Sequence, residues 1–527
     1  MTNAIILAAG KSERFAPFTF EKPKGLFKVR GEYLIERQIK QLKEANINEI
    51  MIVVGFMKEK FFYLEEKYGV KLVVNNTFDS KGNLYSLYTA REYLADTYVC
   101  SQDHYFIENP FLKNENHSYR ACKWQSEKIK DFSVTVSNEA VITGFEIGGQ
   151  EKYAMIGQAF FTETFSKTMV DLMEEEIDNF GVSDMFWEEF YGKHQEKMTL
   201  YAKLYEENQI QEFDSLEDLR QFDQGFLNNI DSNIVQNICS QLRCIPNEIT
   251  NIDIIEKGLT NVSFKFSVNN TEYVYRHPGG TAGNLVDRKS ELFAQYKAIE
   301  LEIDKSVIYM DPTGWKLSYY VQNMIPCDLD SNNEQLDMAM SYLRKLHNAE
   351  WDESVKRFNP LKEALKLIEI ASPSKGDLFN EFSDFIRKIK LIDYYLENDG
   401  YRELALCHND VYAPNYLVTE QKDMYLIDWE YAGVNDKAND VACICSRYDF
   451  SDEQIERHLK AYFGRELTFE EHRHYIASIA LSSFYWFSWG LYKGSVNDDD
   501  GFFFLPAYRN LKRFVDLALA SYENGGK

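Results

Sequence analysis

Apolar residues fall in two distinct rhythms along this chain. Residues 4–7 form a short unbroken apolar run, Ile35, Ile39 and Leu42 then recur at helical spacing, and residues 50–55 form a second run. That order predicts strand, helix, strand. A further strand at 70–75 leads through Lys81-Gly82-Asn83 into a helical pattern over 84–94. Such alternation predicts a parallel, doubly wound sheet. The polar string Asn228-Asn229-Ile230-Asp231-Ser232-Asn233 interrupts the pattern before Ile234, Ile238 and Leu242 resume helical spacing, which puts a module boundary at 230/231. Beyond it, 262–268 and 272–276 flank Asn269-Asn270-Thr271 and read as a β-hairpin, and residues 335–527 read as largely helical. The uncharged stretch 475–492 approaches spanning length, but the serines at 478, 482, 483 and 488 and its position inside the second module predict a buried helix and no stable membrane insertion.

Length and charge narrow the classes. A chain of 527 residues is too long for one core, and 83 acidic against 58 basic residues give a net charge of −25. Nucleic acid and anionic membrane are thereby disfavoured as partners, whereas a cationic substrate is compatible. Eight scattered cysteines at no zinc-ligand or disulfide spacing point to a reducing cytoplasm, and the start of the sequence carries no export signal.

The most chemical stretch is CHNDVYAPN, beginning at Cys407, followed by an apolar run ending in Asp428-Trp429-Glu430. Asp410 can accept a proton from a substrate hydroxyl, while Asn415 and Asp428 offer hard oxygens to a Mg²⁺ held between nucleotide phosphates. Upstream, Gly258, Thr260 and Asn261 lie in a candidate phosphate loop; Arg276 stands on a strand where a phosphate-binding cation belongs, and Glu291 on the next helix as its orienting carboxylate. A second phosphate-handling motif begins at Leu7: LAAGKSERF, then Lys22-Pro23-Lys24. Ala8, Ala9 and Gly10 let a nucleotide approach the backbone closely, and Arg14 and Lys24 bring positive charge.

The full string LAAGKSERFAPFTFEKPKGL resembles the sugar-phosphate and phosphocholine nucleotidyltransferases over roughly the first 225 residues. GNLYSL with Asn83 and Ser86, SQDHY with Asp103, and QEFDSL with Asp214 look like the bacterial phosphocholine cytidylyltransferase branch. The resemblance implies CTP held by Leu7, Ala8, Ala9, Gly10, Arg14, Lys24, Asn83 and Ser86, and Mg²⁺ held by Asp103 and Asp214. Trp124, Tyr153 and above all Trp187 are candidates to cover phosphocholine, with core packing as the alternative.

GLTN, VYRHPGG, HNDVYAPN and LIDWEYAG, in that order, resemble the choline and ethanolamine kinases of the aminoglycoside-phosphotransferase-like fold. That likeness implies an adenine hinge near Asn323 and a choline site drawn from Glu430, Tyr431, Trp486, Trp489, Tyr492 and Tyr508. Asp498-Asp499-Asp500 adds an acidic loop. The expected architecture is α/β: a doubly wound Rossmann-like nucleotidyltransferase domain at 1–230, then a two-lobed protein-kinase-like α+β domain at 231–527, its N-lobe at about 245–325 and a helical C-lobe at about 326–527. The implied function is two consecutive steps on choline, phosphocholine, ATP and CTP. Ethanolamine chemistry, an antibiotic-type phosphotransferase fused to a sugar nucleotidyltransferase, and a choline sensor without turnover are the alternatives.

Overall fold

Strand Asn3–Ala8 is buried along its whole length and pairs in parallel with Ile50–Val54 on one side and Thr97–Ser101 on the other. Lys71–Val74 extends the sheet beyond Ile50–Val54, again in parallel. Because successive side chains point to opposite faces, Ile5, Leu7, Met51 and Val53 enter one core while Ala4, Ile6, Ile52 and Val54 enter another. Helix Leu34–Glu44 covers the second core with Ile35, Ile39 and Leu42, and helix Asn83–Thr89 covers the first with Leu84 and Leu87. Both faces are therefore filled, as a doubly wound sheet requires. The helix expected over 84–94 stops at Thr89 and gives way to a 3₁₀ turn at Arg91–Tyr93.

The structure, a computed structural model, describes residues 2–206, 208–257, 261–279, 286–371, 381–495 and 502–524. Past Thr97–Ser101 the sheet departs from the parallel expectation: Lys152–Phe161 runs antiparallel to it and to Tyr119–Gln125 and Phe132–Val136, and Ile142–Ile147 adds a further antiparallel edge. A parallel crossover needs a dozen or more connecting residues, and the links at 126–131, 137–141 and 148–151 leave no room for one between consecutive strands. The chain forms two compact units, Met1–Thr250 and Asn251–Lys527. Helix Asn233–Leu242 belongs with the first, where the Glu21 carboxylate accepts from Asn233 N and Ile234 N and Ser232 caps Val235 N. The chain turns from 230 into this helix without leaving the first unit.

The second unit opens with a sheet ordered Thr250–Lys257, Asn261–Val268, Thr271–Pro278, Lys316–Tyr319, Val307–Met310. Asn269 and Asn270 both take positive φ, 49° and 64°, the conformation of a two-residue hairpin turn that asparagine tolerates. Helix Arg288–Glu300 follows. The expected helical C-lobe is there, but two short antiparallel pairs escape the periodicity: Leu404–Cys407 with Gly433–Asp436, and Tyr416–Thr419 with Met424–Leu426. Strands of three or four residues are too short to show an alternation. Helix Phe469–Ser495 is buried through residues 474–488, and among the described residues no helix is long and apolar enough to cross a membrane.

Candidate active sites

In the second unit, Asp410 sits in the loop between the two short strand pairs. The loop is tied down by Asp440, a fully buried carboxylate that accepts from His408 N at 2.9 Å and Asn409 N at 2.7 Å and from His347 Nε2 at 2.9 Å. Asn409 is left-handed, φ 63°, and Asn435 and Asn439 donate to its side-chain oxygen at 2.9 and 3.0 Å. These bonds hold a strained turn in one shape. Asn415 Nδ2 donates to the Asp410 carbonyl at 2.8 Å and to its Oδ2 at 3.2 Å, so the expected base and metal ligand are adjacent.

Arg276 faces them from the sheet. Its guanidinium bonds Glu291 and the Gly314 carbonyl, and Nη1 lies 3.8 Å from Asp428 Oδ1. Arg276 Nε and Nη1 are buried without hydrogen-bond partners among the described residues, donors held ready for phosphate oxygens. Burial and the neighbouring Asp410 push the Asp428 carboxyl up, and burial beside Asp428 does the same to Glu430, with Arg276 opposing both. Acidic groups crowded until they resist ionisation, with the Asn415 amide oxygen beside them, are a donor set that fits a hard divalent cation. Asn261 Nδ2 reaches Glu430 Oε2 at 2.7 Å, joining the glycine-loop side to the metal side. A cleft of about 330 Å³ opens over Arg276, Asn415 and Asp428. Its far wall is Tyr319, Tyr320, Val321 and Met324. Asn323, in the segment expected to form the hinge, is exposed and in the left-handed region at φ 53°, next to Met324 of that wall. Gly258, Thr260 and Asp498-Asp499-Asp500 lie outside the described residues.

Of the expected choline residues, Glu430, Tyr431, Trp486 and Trp489 come together: Trp489 Nε1 donates to Tyr431 Oη at 3.2 Å, and the two indoles are 6.1 Å apart. Trp486 is the most enclosed of the four, 2% exposed, with the Arg447 guanidinium 3.3 Å from its ring centroid. Trp489 is half-buried, with Lys493 Nζ 5.0 Å from its ring centroid. Tyr508 packs on Phe487 and Phe385, away from the indoles, and Tyr492 is half-buried against the core. Sequence reasoning missed Asp440, Arg288, Lys316 and Arg447. Arg288, one helical turn before Glu291 and 2.6 Å from it, was within reach of an i,i+3 reading; the others declare themselves only in three dimensions.

In the first unit, Lys24 is buried and donates to Asp103 Oδ2 at 2.8 Å and to the Phe213 carbonyl, next to Asp214. Arg14, largely exposed, reaches Asp214 Oδ1 at 3.4 Å. Burial would raise the Asp103 carboxyl, but Lys24 and His104 hold it far below the carboxylate range; Asp214 is pushed up by burial and by Asp131. Two carboxylates flanked by two cations fit a Mg²⁺–triphosphate, whose charges are of both signs. His104 is paired with Glu212 at 2.9 Å. Leu7, Ala8 and Ala9 are buried at the strand end, and a Cβ on Gly10 would meet nothing within 4 Å, so the turn is open for a ligand. Asn83 and Ser86 do structural work: Asn83 Oδ1 accepts from Trp187 N at 2.8 Å and Ser86 Oγ from Asn75 Nδ2 at 3.0 Å. Gly82 makes that junction possible, since a Cβ there would lie 2.2 Å from the Met185 carbonyl oxygen. Trp187 is a buried ring, 3% exposed, packed against Phe161; Tyr153 is half-buried and Trp124 half-exposed, edge to face 5.1 Å apart.

Fold and geometry define a nucleotidyltransferase followed by a kinase-type phosphotransferase. Two family models match, the MobA-like NTP transferase domain over residues 4–123 and choline/ethanolamine kinase over residues 252–476. The choline-phosphate cytidylyltransferase of Streptococcus pneumoniae is 32% identical over 221 residues, 42% of this chain and 96% of the relative. The 2-aminoethylphosphonate cytidylyltransferase of Lancefieldella rimae is 33% identical over 230 residues, 43% of this chain and 94% of the relative. The solved choline kinase LicA of Streptococcus pneumoniae aligns with 54% of this chain and 98% of its own at 21% identity, TM-score 0.46. This chain belongs to the family of the choline-phosphate cytidylyltransferases through its first unit, its second unit carries a choline/ethanolamine kinase domain, and it is a transferase.

Proposed function

We propose that the chain makes CDP-choline in two steps, each on its own unit. In the second unit, Asp410 accepts the hydroxyl proton of choline as the oxygen attacks the γ-phosphorus of ATP, and ADP leaves. Arg276, steered by Glu291, binds the phosphates. In the first unit the phosphate oxygen of phosphocholine attacks the α-phosphorus of CTP and pyrophosphate leaves. No enzyme nucleophile is needed there, so Lys24 and Arg14 act by positioning and charge neutralisation. Asn415 and Asp428 in one unit, Asp103 and Asp214 in the other, are the residues that would hold Mg²⁺, whose contribution when bound is to neutralise phosphate charge.

The observation that carries this reading is the pairing of the Asp410–Asn415–Asp428–Arg276 set with the Lys24–Asp103–Asp214 set on one chain. Similarity to a 2-aminoethylphosphonate enzyme supports a second reading for the first unit. A phosphonate needs no kinase, however, and a phosphate ester does, so the fused kinase favours phosphocholine. A cytoplasmic setting, where all eight cysteines stay thiols as they are here, completes the proposal. The test is acceptor choice in both reactions, with choline, ethanolamine and kanamycin offered with ATP, and phosphocholine, phosphoethanolamine and 2-aminoethylphosphonate offered with CTP. Best use of choline and phosphocholine is expected; preference for the phosphonate would transfer the first unit to the second reading.

A further inference from the structure

The aromatic face expected to receive the substrate's cation already holds one that belongs to the protein. Arg447, at the C-terminal end of helix Ala438–Ser446, is 1% exposed. Its guanidinium carbon lies 3.3 Å from the Trp486 ring centroid, 4.1 Å from that of Tyr412 and 5.1 Å from that of Phe503. Its Nη2 donates to Asp410 Oδ1, while Asn415 Nδ2 lies 3.2 Å from the other oxygen, Oδ2. A guanidinium is planar and permanently charged, so rings stacked against it fix its orientation as well as its place.

We propose that Arg447, gripped by Trp486 and Tyr412, is a positioning residue that sets the Asp410 carboxylate for phosphoryl transfer. Oδ1 is taken by Arg447, and the acceptor hydroxyl meets Oδ2, which accepts only the longer 3.2 Å bond from Asn415 and keeps a lone pair for the proton. Trp486 then serves the reaction through Arg447, and the ammonium head of the acceptor is left to Trp489, Tyr431 and Glu430. This inference rests on the kinase reading of the second unit.

The test uses the full chain. Arg447→Met keeps bulk but loses the donor, and should lower kcat for phosphorylation about 100-fold, the scale of a misplaced reacting group, with the KM for ATP and for choline within about twofold. Arg447→Lys, which restores one charged donor without the planar fork, should recover about tenfold of that loss. Trp486→Leu should follow Arg447→Met in lowering kcat and not raise the choline KM, whereas loss of a ring that contacts the substrate raises KM. Cytidylyl transfer by the same preparations and the melting temperature of each variant separate misfolding from misplacement. A folded Arg447→Met with kcat within threefold of wild type overturns the clamp, as does a Trp486→Leu that raises choline KM alone. Failure of the wild type itself on every amino alcohol would instead reject the kinase reading; the variant ratio is then read on slow hydrolysis of ATP, with the same two outcomes for the clamp.

Discussion

Lys24 Nζ lies 2.8 Å from Asp103 Oδ2, with both groups inside the first unit and the lysine all but inaccessible. Breaking such a pair from one side strands a buried charge. The relationship also links the two expected functions of the motif, the cation for phosphate and the carboxylate for metal, in one contact that CTP binding must rearrange. Asp103→Ala should therefore lower CDP-choline formation from added phosphocholine by about 10²–10³-fold, the range for losing a group that stabilises transition-state charge, and leave phosphorylation of choline unchanged. A coupled assay for released pyrophosphate reads the first and ADP release the second; equal loss of both would contradict separate sites.

Asp410→Asn is the converse experiment. Removing the base should cost phosphocholine formation about 10²–10⁴-fold while CDP-choline synthesis from added phosphocholine continues at the wild-type rate. Retained kinase activity above a tenth of wild type would show that another group takes the proton.

Trp489, half-buried and bonded to Tyr431, is the indole that the proposal assigns to the quaternary ammonium. A cation–π contact is worth about 0.5–2 kcal/mol, so Trp489→Ala should raise the choline KM by about two- to thirtyfold and leave the KM for ATP unmoved. Initial rates at varied choline and at varied ATP decide it. An unchanged choline KM in a variant that melts early would make Trp489 core packing.

His474 is buried between Asp399 and Asp436, at 2.8 and 2.7 Å. Burial alone would lower its pKa, but hydrogen bonds to the two carboxylates raise it from 6.5 to about 9. A folded pKa above the unfolded one stabilises the second unit fully below about pH 6.5, and that contribution is lost as pH rises through about 9; a shift of this size corresponds to about 3 kcal/mol. Melting followed from pH 6 to pH 10 should show the kinase transition falling in that window. His474→Gln should flatten the fall. A wild-type profile already flat across the window would mean that the imidazole is not charged in the fold.

Where the sequence was legible, the physics was local. The buried run at 4–7, the Ile35–Ile39–Leu42 face and the Asn269-Asn270 turn each announce their element through side-chain spacing or backbone tolerance, and the catalytic loop declares Asp410 and Asn415 through a fixed short interval. What was hidden depends on partners far apart in the chain. The antiparallel half of the first sheet is set by pairings such as Tyr153 with Trp124, which no periodicity reveals. Aromatic residues look alike in sequence, and only packing shows that Trp187 faces Phe161 and Trp486 faces Arg447. Arg447 itself, 37 residues past Asp410, had no signal at all.

The most direct test of two consecutive reactions on one polypeptide is phosphorus NMR of the purified full chain incubated with choline, ATP, CTP and Mg²⁺ and no added phosphocholine. CDP-choline should appear together with ADP and pyrophosphate, and with CTP withheld phosphocholine should accumulate beside ADP instead. Phosphocholine accumulating beside untouched CTP, or CTP consumed only when a different phosphate or phosphonate is supplied, would contradict the account.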